Sequence, residues 1–238
     1  MKRLGIIGGL GPMATAYFLR MIVEMTDAET DQEHIEVLLH SRPQIPDRTR
    51  YILGLSNESP MPHFQEIGMQ LVKHGAEVIV IPCITAHFFR DALEKAIECP
   101  IIHPIEATGY YLQNEGIKRV GVMATDGTMQ SQLFQSILKK YGISCVEPGT
   151  EGQDAVMHLI YENVKKGLPI DMNKFEAVSK ELFEKGAQVI LLGCTELSMA
   201  KRDHHLGPGY LDVMEVLARQ AVITCGTIKP EYEHLITE

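Results

Sequence analysis

The segment KRLGIIGGLGPM at 2–13 is echoed by KRVGVMATDGTM at 118–129, an offset of 116 residues (118 less 2). A second pair, KHGAEVIVIPCIT at 73–85 and EKGAQVILLGCTE at 184–196, repeats at an offset of 111 when Cys83 is set against Cys194 (194 less 83). Two separate pairs at nearly one offset point to an internal duplication, against the plainer alternative of chance likeness among strands rich in Gly and Val. A chain of 238 residues is long enough for two modest lobes. Apolar runs of strand length (LGIIGG, IEVLLHS, EVIVIPC, IIHPI, RVGVMAT, ISCVEPG and QVILLGC) alternate with amphipathic segments such as MATAYFLRMIVEMT, MPHFQEIGMQLVKHG and NKFEAVSKELFEKG. Continuous apolar strands separated by helices predict an α/β fold of parallel sheets covered on both faces.

The duplication gives the thiols a shared position. Cys83 and Cys194 each end the corresponding strand of their half, where open α/β sheets place ligand chemistry. If the halves face one another, both thiols enter one cleft from opposite sides. A free cysteine is most often a small buried hydrophobe. These two are followed by polar neighbours, in CITAH and CTEL. Hydroxyl donors and helix N-termini can hold a thiol as the reactive thiolate, which favours a functional reading. Cys99, Cys145 and Cys225 lack that context and read as structural.

Five cysteines without a CxxC spacing argue against structural zinc and against a disulfide framework, so no metal site is expected. Free thiols with no export signal fit a reducing cytoplasm. A net charge of -9 with no Lys/Arg block argues against nucleic-acid partners. No tract of membrane-spanning length is present. Any anion site must therefore be assembled from particular cations and backbone N–H groups.

Four short motifs are candidates for that assembly. GGLGPMA at 8–14 holds Gly9, Gly11 and Ala14 in a G-x-G-x-x-A pattern, but IEVLLHS ends in His40 and Ser41 rather than the carboxylate a dinucleotide site needs. A tight turn presenting backbone N–H groups near Gly11 fits better than a nicotinamide site. IPDRT at 45–49 carries Asp47 and Arg48. An exposed ion pair and a planar fork for a carboxylate are both open there. ATDGT at 124–128 suits either an anion cradle or a plain cap, and YENVKKGLP at 161–169 reads as a helix with a basic end before Gly167. The spacing around His87 does not fix its role.

Taken in order, GIIGGLGPMAT, IPDRT, PCITAH, VGVMATDGT, YENVKKG and GCTEL resemble the aspartate/glutamate racemase family across most of the chain. The resemblance implies two similar lobes with the active site between them and a C-terminal segment that crosses back, giving 1–98 plus 210–238 and 99–209. It implies an isomerase that uses no cofactor, takes a small amino acid as substrate and forms a homodimer. Cys83 and Cys194 become the two bases, one as thiolate removing the α-proton and the other as thiol returning one to the opposite face. Thr85, Thr125 and Thr128 correspond to ligands of the α-carboxylate, and Arg48 to the clamp on the side-chain carboxylate, with Lys165 assisting. Gly11 and Thr195 fall among the substrate-binding positions. Asp47 and Glu196 correspond to residues that orient the cysteines or hold the ammonium. Ile84 departs from the family's usual Asn and puts the substrate in question. A two-thiol isomerase or decarboxylase on the same fold, or an amino-acid-binding homologue with weakened turnover, remain alternatives.

Overall fold

The computed structural model describes all residues from Met1 to Glu238. The chain divides into two compact units: Met1–His103 with Glu215–His234, and Pro104–Met214 with Leu235–Glu238.

The first unit runs β1 (Leu4–Gly8), α1 (Pro12–Met25), β2 (Val37–Ser41), α2 (Arg48–Ile52), α3 (Met61–Lys73), β3 (Val78–Val80) and α4 (Arg90–Ile97). Its three strands are parallel in the order β2-β1-β3. β1 is buried at every residue and β2, at the edge, is only partly covered. That contrast is the mark of a central strand with helices on both faces. Pro12 opens α1 and its buried residues Ala14, Phe18, Met21, Ile22 and Met25 recur at three- and four-residue steps, the stripe a helix needs to lie on a sheet. Ile7, Phe64, Ile67, Ile79, Ile81 and Leu93 belong to a separate core cluster of this unit, which takes no residue from α1.

The second unit runs α5 (Pro104–Asn114), β4 (Arg119–Met123), α6 (Asp126–Gln130), α7 (Leu133–Leu138), β5 (Ser144–Val146), α8 (Thr150–Met157), α9 (Met172–Glu184), β6 (Val189–Leu192), α10 (Ser198–Asp203), β7 (Tyr210–Asp212) and then α11 (Val213–Cys225), whose later residues belong to the first unit. Its strands are parallel in the order β5-β4-β6-β7. Setting β4 on β1, β5 on β2 and β6 on β3 reproduces the first unit's order, and β7 lies beside β6 where the first unit has a single bridge from Ile101 beside β3. The repeat in the sequence is thus a repeat in topology. Asp171 caps α9 by accepting from the backbone N–H groups of Asn173 and Lys174, and Phe175, Val178 and Leu182 from that helix pack on Ile190 and Leu192 of β6.

One expected strand is absent. IIHPI supplies only a single parallel bridge, Ile79 to Ile101, and α5 begins at Pro104. Proline has no N–H to give a sheet and suits the first turn of a helix. No helix is long and apolar enough to cross a membrane.

Candidate active site

In the first unit β3 gives way to Ile81, Pro82 and Cys83, and a 3-10 turn follows over Ile84–Phe89. Pro82 cannot continue the ladder, so the thiol falls at the point where the strand stops. Cys83, Ile84 and Thr85 are all buried. His87, also buried, places Nε2 2.9 Å from the carbonyl oxygen of Ile81. A carbonyl only accepts, so Nε2 carries the proton and donates, while Nδ1 has no hydrogen-bond partner. Burial above all, then the neighbouring His103 with its ring centroid 5.1 Å away, pushes the His87 pKa down to about 3, against the bond to Ile81. The imidazole is neutral and the turn is pinned two residues before the thiol.

Asp47 caps α2, accepting from Arg50 N–H at 2.9 Å. Arg48 is buried, with Nη1 donating to the carbonyls of Ile45 and Pro46 at 3.4 and 3.1 Å. It is a cation seated in the fold, which disposes of the reading as an exposed surface pair. At the end of β1, Gly9 N–H donates to Thr15 Oγ1 at 2.9 Å, and that hydroxyl donates to the Gly11 carbonyl at 2.9 Å. A side chain at Gly9 (φ 94°) would meet the backbone of Arg42 at 2.5 Å. The turn around Gly11 is fixed by its own hydroxyl, and the Gly9 N–H is spent on it.

The second unit carries a charged version of the thiol site. Cys194 Sγ donates to Glu196 Oε2 at 2.9 Å, Thr195 Oγ1 donates to the same oxygen at 3.1 Å, and Lys165 Nζ lies 2.9 Å from Glu196 Oε1. All three residues of the 194–196 run are buried. Burial pushes the Cys194 thiol well above its ordinary range, the Glu196 charge adds to that, and Lys165 opposes it. Burial works to raise Glu196 as well, but the Lys165 charge and the bonds from Cys194 and Lys165 outweigh it and hold the carboxyl below its usual range. At neutral pH the group is therefore a thiol, a carboxylate and an ammonium in a row.

Lys165 comes from the turn after a π-helical stretch, His158–Asn163, and its Nζ stands 5.2 Å from the Tyr161 ring centroid, a cation–π distance. Its neighbour Lys166 pairs instead with exposed Glu162, so the adjacent lysines do different things. Gly193, just before the thiol, has no room for a side chain: a Cβ would sit 2.9 Å from the Phe134 ring and 3.0 Å from the Met123 carbonyl oxygen.

Thr125 and Thr128 are buried at the entry to α6 with their hydroxyls 3.1 Å apart, and Thr128 N–H donates to Thr125 Oγ1 at 3.3 Å. Gln153 braces this turn by donating to the Ala124 carbonyl and to Asp126 Oδ1. The remaining cysteines are raised mainly by burial, Cys145 to about 12, Cys225 to about 11, and Cys99 upward. No group of three or more His, Cys, Asp or Glu is arranged to hold a metal ion.

Sequence reasoning links Lys165 to Arg48. The structure pairs it with Glu196, in the same unit as Cys194. Sequence reasoning also passes over Ser198 and Asp212. The offset of 111 sets Ser198 against His87 and so carried a signal that could have found it.

The model of the Asp/Glu/Hydantoin racemase family matches residues 7–221, and the chain belongs to that family. Over 98% of both chains it superposes on an aspartate racemase of Picrophilus torridus with a TM-score of 0.80 at 30% identity. It is 27% identical over 210 residues to the broad specificity amino-acid racemase RacX of Bacillus subtilis (strain 168), covering 84% of this chain and 88% of that one. A glutamate racemase of Francisella tularensis, solved with D-glutamate, shares the fold at a TM-score of 0.63 and 18% identity, over 94% of this chain and 80% of that one. These relatives make the chain an isomerase of the amino-acid racemase class.

Proposed function

We propose that the protein inverts the α-carbon of an acidic amino acid, aspartate or glutamate, with Cys83 and Cys194 as opposing bases and no cofactor. The observation that carries the reading is the buried Cys194 thiol bonded to an ionised Glu196, at the strand end that corresponds to Cys83 in the other half. Cys83 as thiolate takes the α-proton and becomes a thiol. The electron pair left on the α-carbon takes the Cys194 proton on the opposite face, and Cys194 becomes the thiolate. The roles then exchange for the other enantiomer.

A thiolate beside Glu196 is a stronger base than an isolated one, because the carboxylate raises its proton affinity. Lys165 keeps that thiolate from being prohibitively costly. The carbanion needs donors aimed at its carboxylate. The hydroxyls of Thr85, Thr125 and Thr128 and the Gly11 turn take that part, and Arg48 binds the side-chain carboxylate by its planar fork. Asp47 contributes by starting α2 and so setting Arg48. Because both bases must stay reduced, the reading places the enzyme in the cytoplasm. The implied homodimer is checked by sedimentation velocity.

Ile84, apolar and buried beside Cys83, together with the broad specificity relative, supports a second reading in which a non-acidic amino acid is the substrate. Proton NMR in heavy water, on a panel of L-amino acids headed by aspartate and glutamate, tests both. Loss of the α-proton signal with the D-enantiomer appearing on a chiral column is the expected result for an acidic substrate. Turnover of apolar substrates alone would favour the second reading, and no exchange on any substrate would remove both.

A further inference from the structure

Asp212 is completely buried at the carboxyl end of β7, paired in register with Leu192 at the end of β6. Its Oδ1 accepts from Ser198 Oγ at 2.8 Å and from the Met214 N–H at 2.9 Å. Ser198 is completely buried and opens α10, four residues after Cys194. The backbone between them is wound tightly, with Leu197 N–H on the Cys194 carbonyl at 2.9 Å and Met199 N–H on the Glu196 carbonyl at 3.2 Å. One carboxylate therefore ties the start of α11 and the start of α10 to a single point beside the thiol turn. A buried carboxylate is costly and persists only where its bonds offset that cost.

We propose that Asp212 is a positioning residue for Cys194, acting through Ser198: their hydrogen bond fixes the 194–198 turn and with it the direction of the thiol. In the first unit the place four residues after the thiol is filled by His87, which pins its turn to the Ile81 carbonyl. The second unit has no such local bond from Ser198. It uses β7, where the first unit has only the Ile79–Ile101 bridge, to bring the partner in. The inference rests on the reading of Cys194 as one of the two bases.

The five free cysteines make the test internal. Wild type, Ser198→Ala, Asp212→Ala and Asp212→Asn are treated with iodoacetamide, and alkylation at each cysteine is followed by peptide mass spectrometry. In Ser198→Ala and Asp212→Ala, the Cys194 rate rises about tenfold relative to Cys83, the effect of one lost buried hydrogen bond, while Cys99, Cys145 and Cys225 keep their rates. Asp212→Asn keeps an acceptor oxygen and stays near wild type. An unchanged Cys194 to Cys83 ratio in both Ala variants overturns the proposal, as does a rise at all five cysteines, which would be loosening of the whole fold. Inversion of substrate is measured on untreated portions of the same proteins and falls with the pin. A wild type that inverts nothing would sink the two-base reading by itself, whereas the alkylation ratio reports on the pin whether or not the protein turns over.

Discussion

In the first unit the residue four places after the thiol is His87, which reaches back to the Ile81 carbonyl. In the second it is Ser198, which reaches forward to Asp212 on a neighbouring strand. The same offset sets Thr85 against Glu196, so one thiol has a hydroxyl two residues on and the other a carboxylate bonded to its sulfur. The duplicated halves thus keep the place of the thiol and differ in what holds and charges it. A local pin needs no extra strand. A pin made by a buried carboxylate comes on β7, where the first unit has only the Ile79–Ile101 bridge. The difference also gives Cys194 a defined protonation state, since burial and Glu196 together keep it a thiol at neutral pH.

The comparison breaks outright if one thiol is dispensable. Cys83→Ala and Cys194→Ala should each lower the rate of inversion by roughly 10²–10⁴, the usual worth of a positioned acid or base, measured by chiral chromatography. Gly193→Ala should destabilise the second unit by about 1–3 kcal/mol through overpacking, because its Cβ meets the Phe134 ring at 2.9 Å. Urea midpoints at constant m would register the loss, and an unchanged midpoint would mean that Phe134 simply yields.

Glu196→Gln sharpens the electrostatic half of the contrast. Removing the carboxylate takes away one cause that raises the Cys194 thiol and leaves Lys165, which lowers it. The pH midpoint of Cys194 alkylation should therefore move down, and a midpoint that rises or stays put would contradict the assignment.

His87 gives the first unit a pH dependence of its own. Folded, its pKa is about 3, against an ordinary value of 6.5. Below 6.5 the unfolded chain takes up a proton that the folded one refuses, so stability is full above that value and drains as pH falls toward 3. Thermal melts at pH 7, 5 and 4 should show wild type losing more than His87→Gln over that range. Equal losses would mean that His87 does not contribute. Smallest of all, Cys145→Ser should leave inversion unchanged and stability within about 0.5 kcal/mol.

The parts of this picture that repeat were legible in the sequence. The strand cores, the glycine at position 11 and the two thiols fall at fixed offsets, and periodicity or steric need writes each into a few adjacent residues. The parts that depend on distant partners were not. Lys165 meets Glu196 across 31 residues (196 less 165), after a π-helical turn that no local pattern announces. Asp212 lies in a short strand, YLD, too brief to read as one, and its bond to Ser198 exists only once β7 has paired with β6. IIHPI had the composition of a strand, but Pro104 turned its end into a helix start.

The claim that the two thiols oppose each other is tested most directly by exchange without inversion. Cys83→Ala and Cys194→Ala are each incubated in heavy water with L- and with D-aspartate, or with whichever substrate the wild type turns over, and the α-proton is followed by NMR. A lone remaining thiol can take the proton from one face only and return deuterium to that same face. The account predicts that each variant exchanges a single enantiomer with retention, and that the two variants choose opposite enantiomers. Inversion by either variant as fast as its exchange, or exchange of the same enantiomer by both, would contradict it.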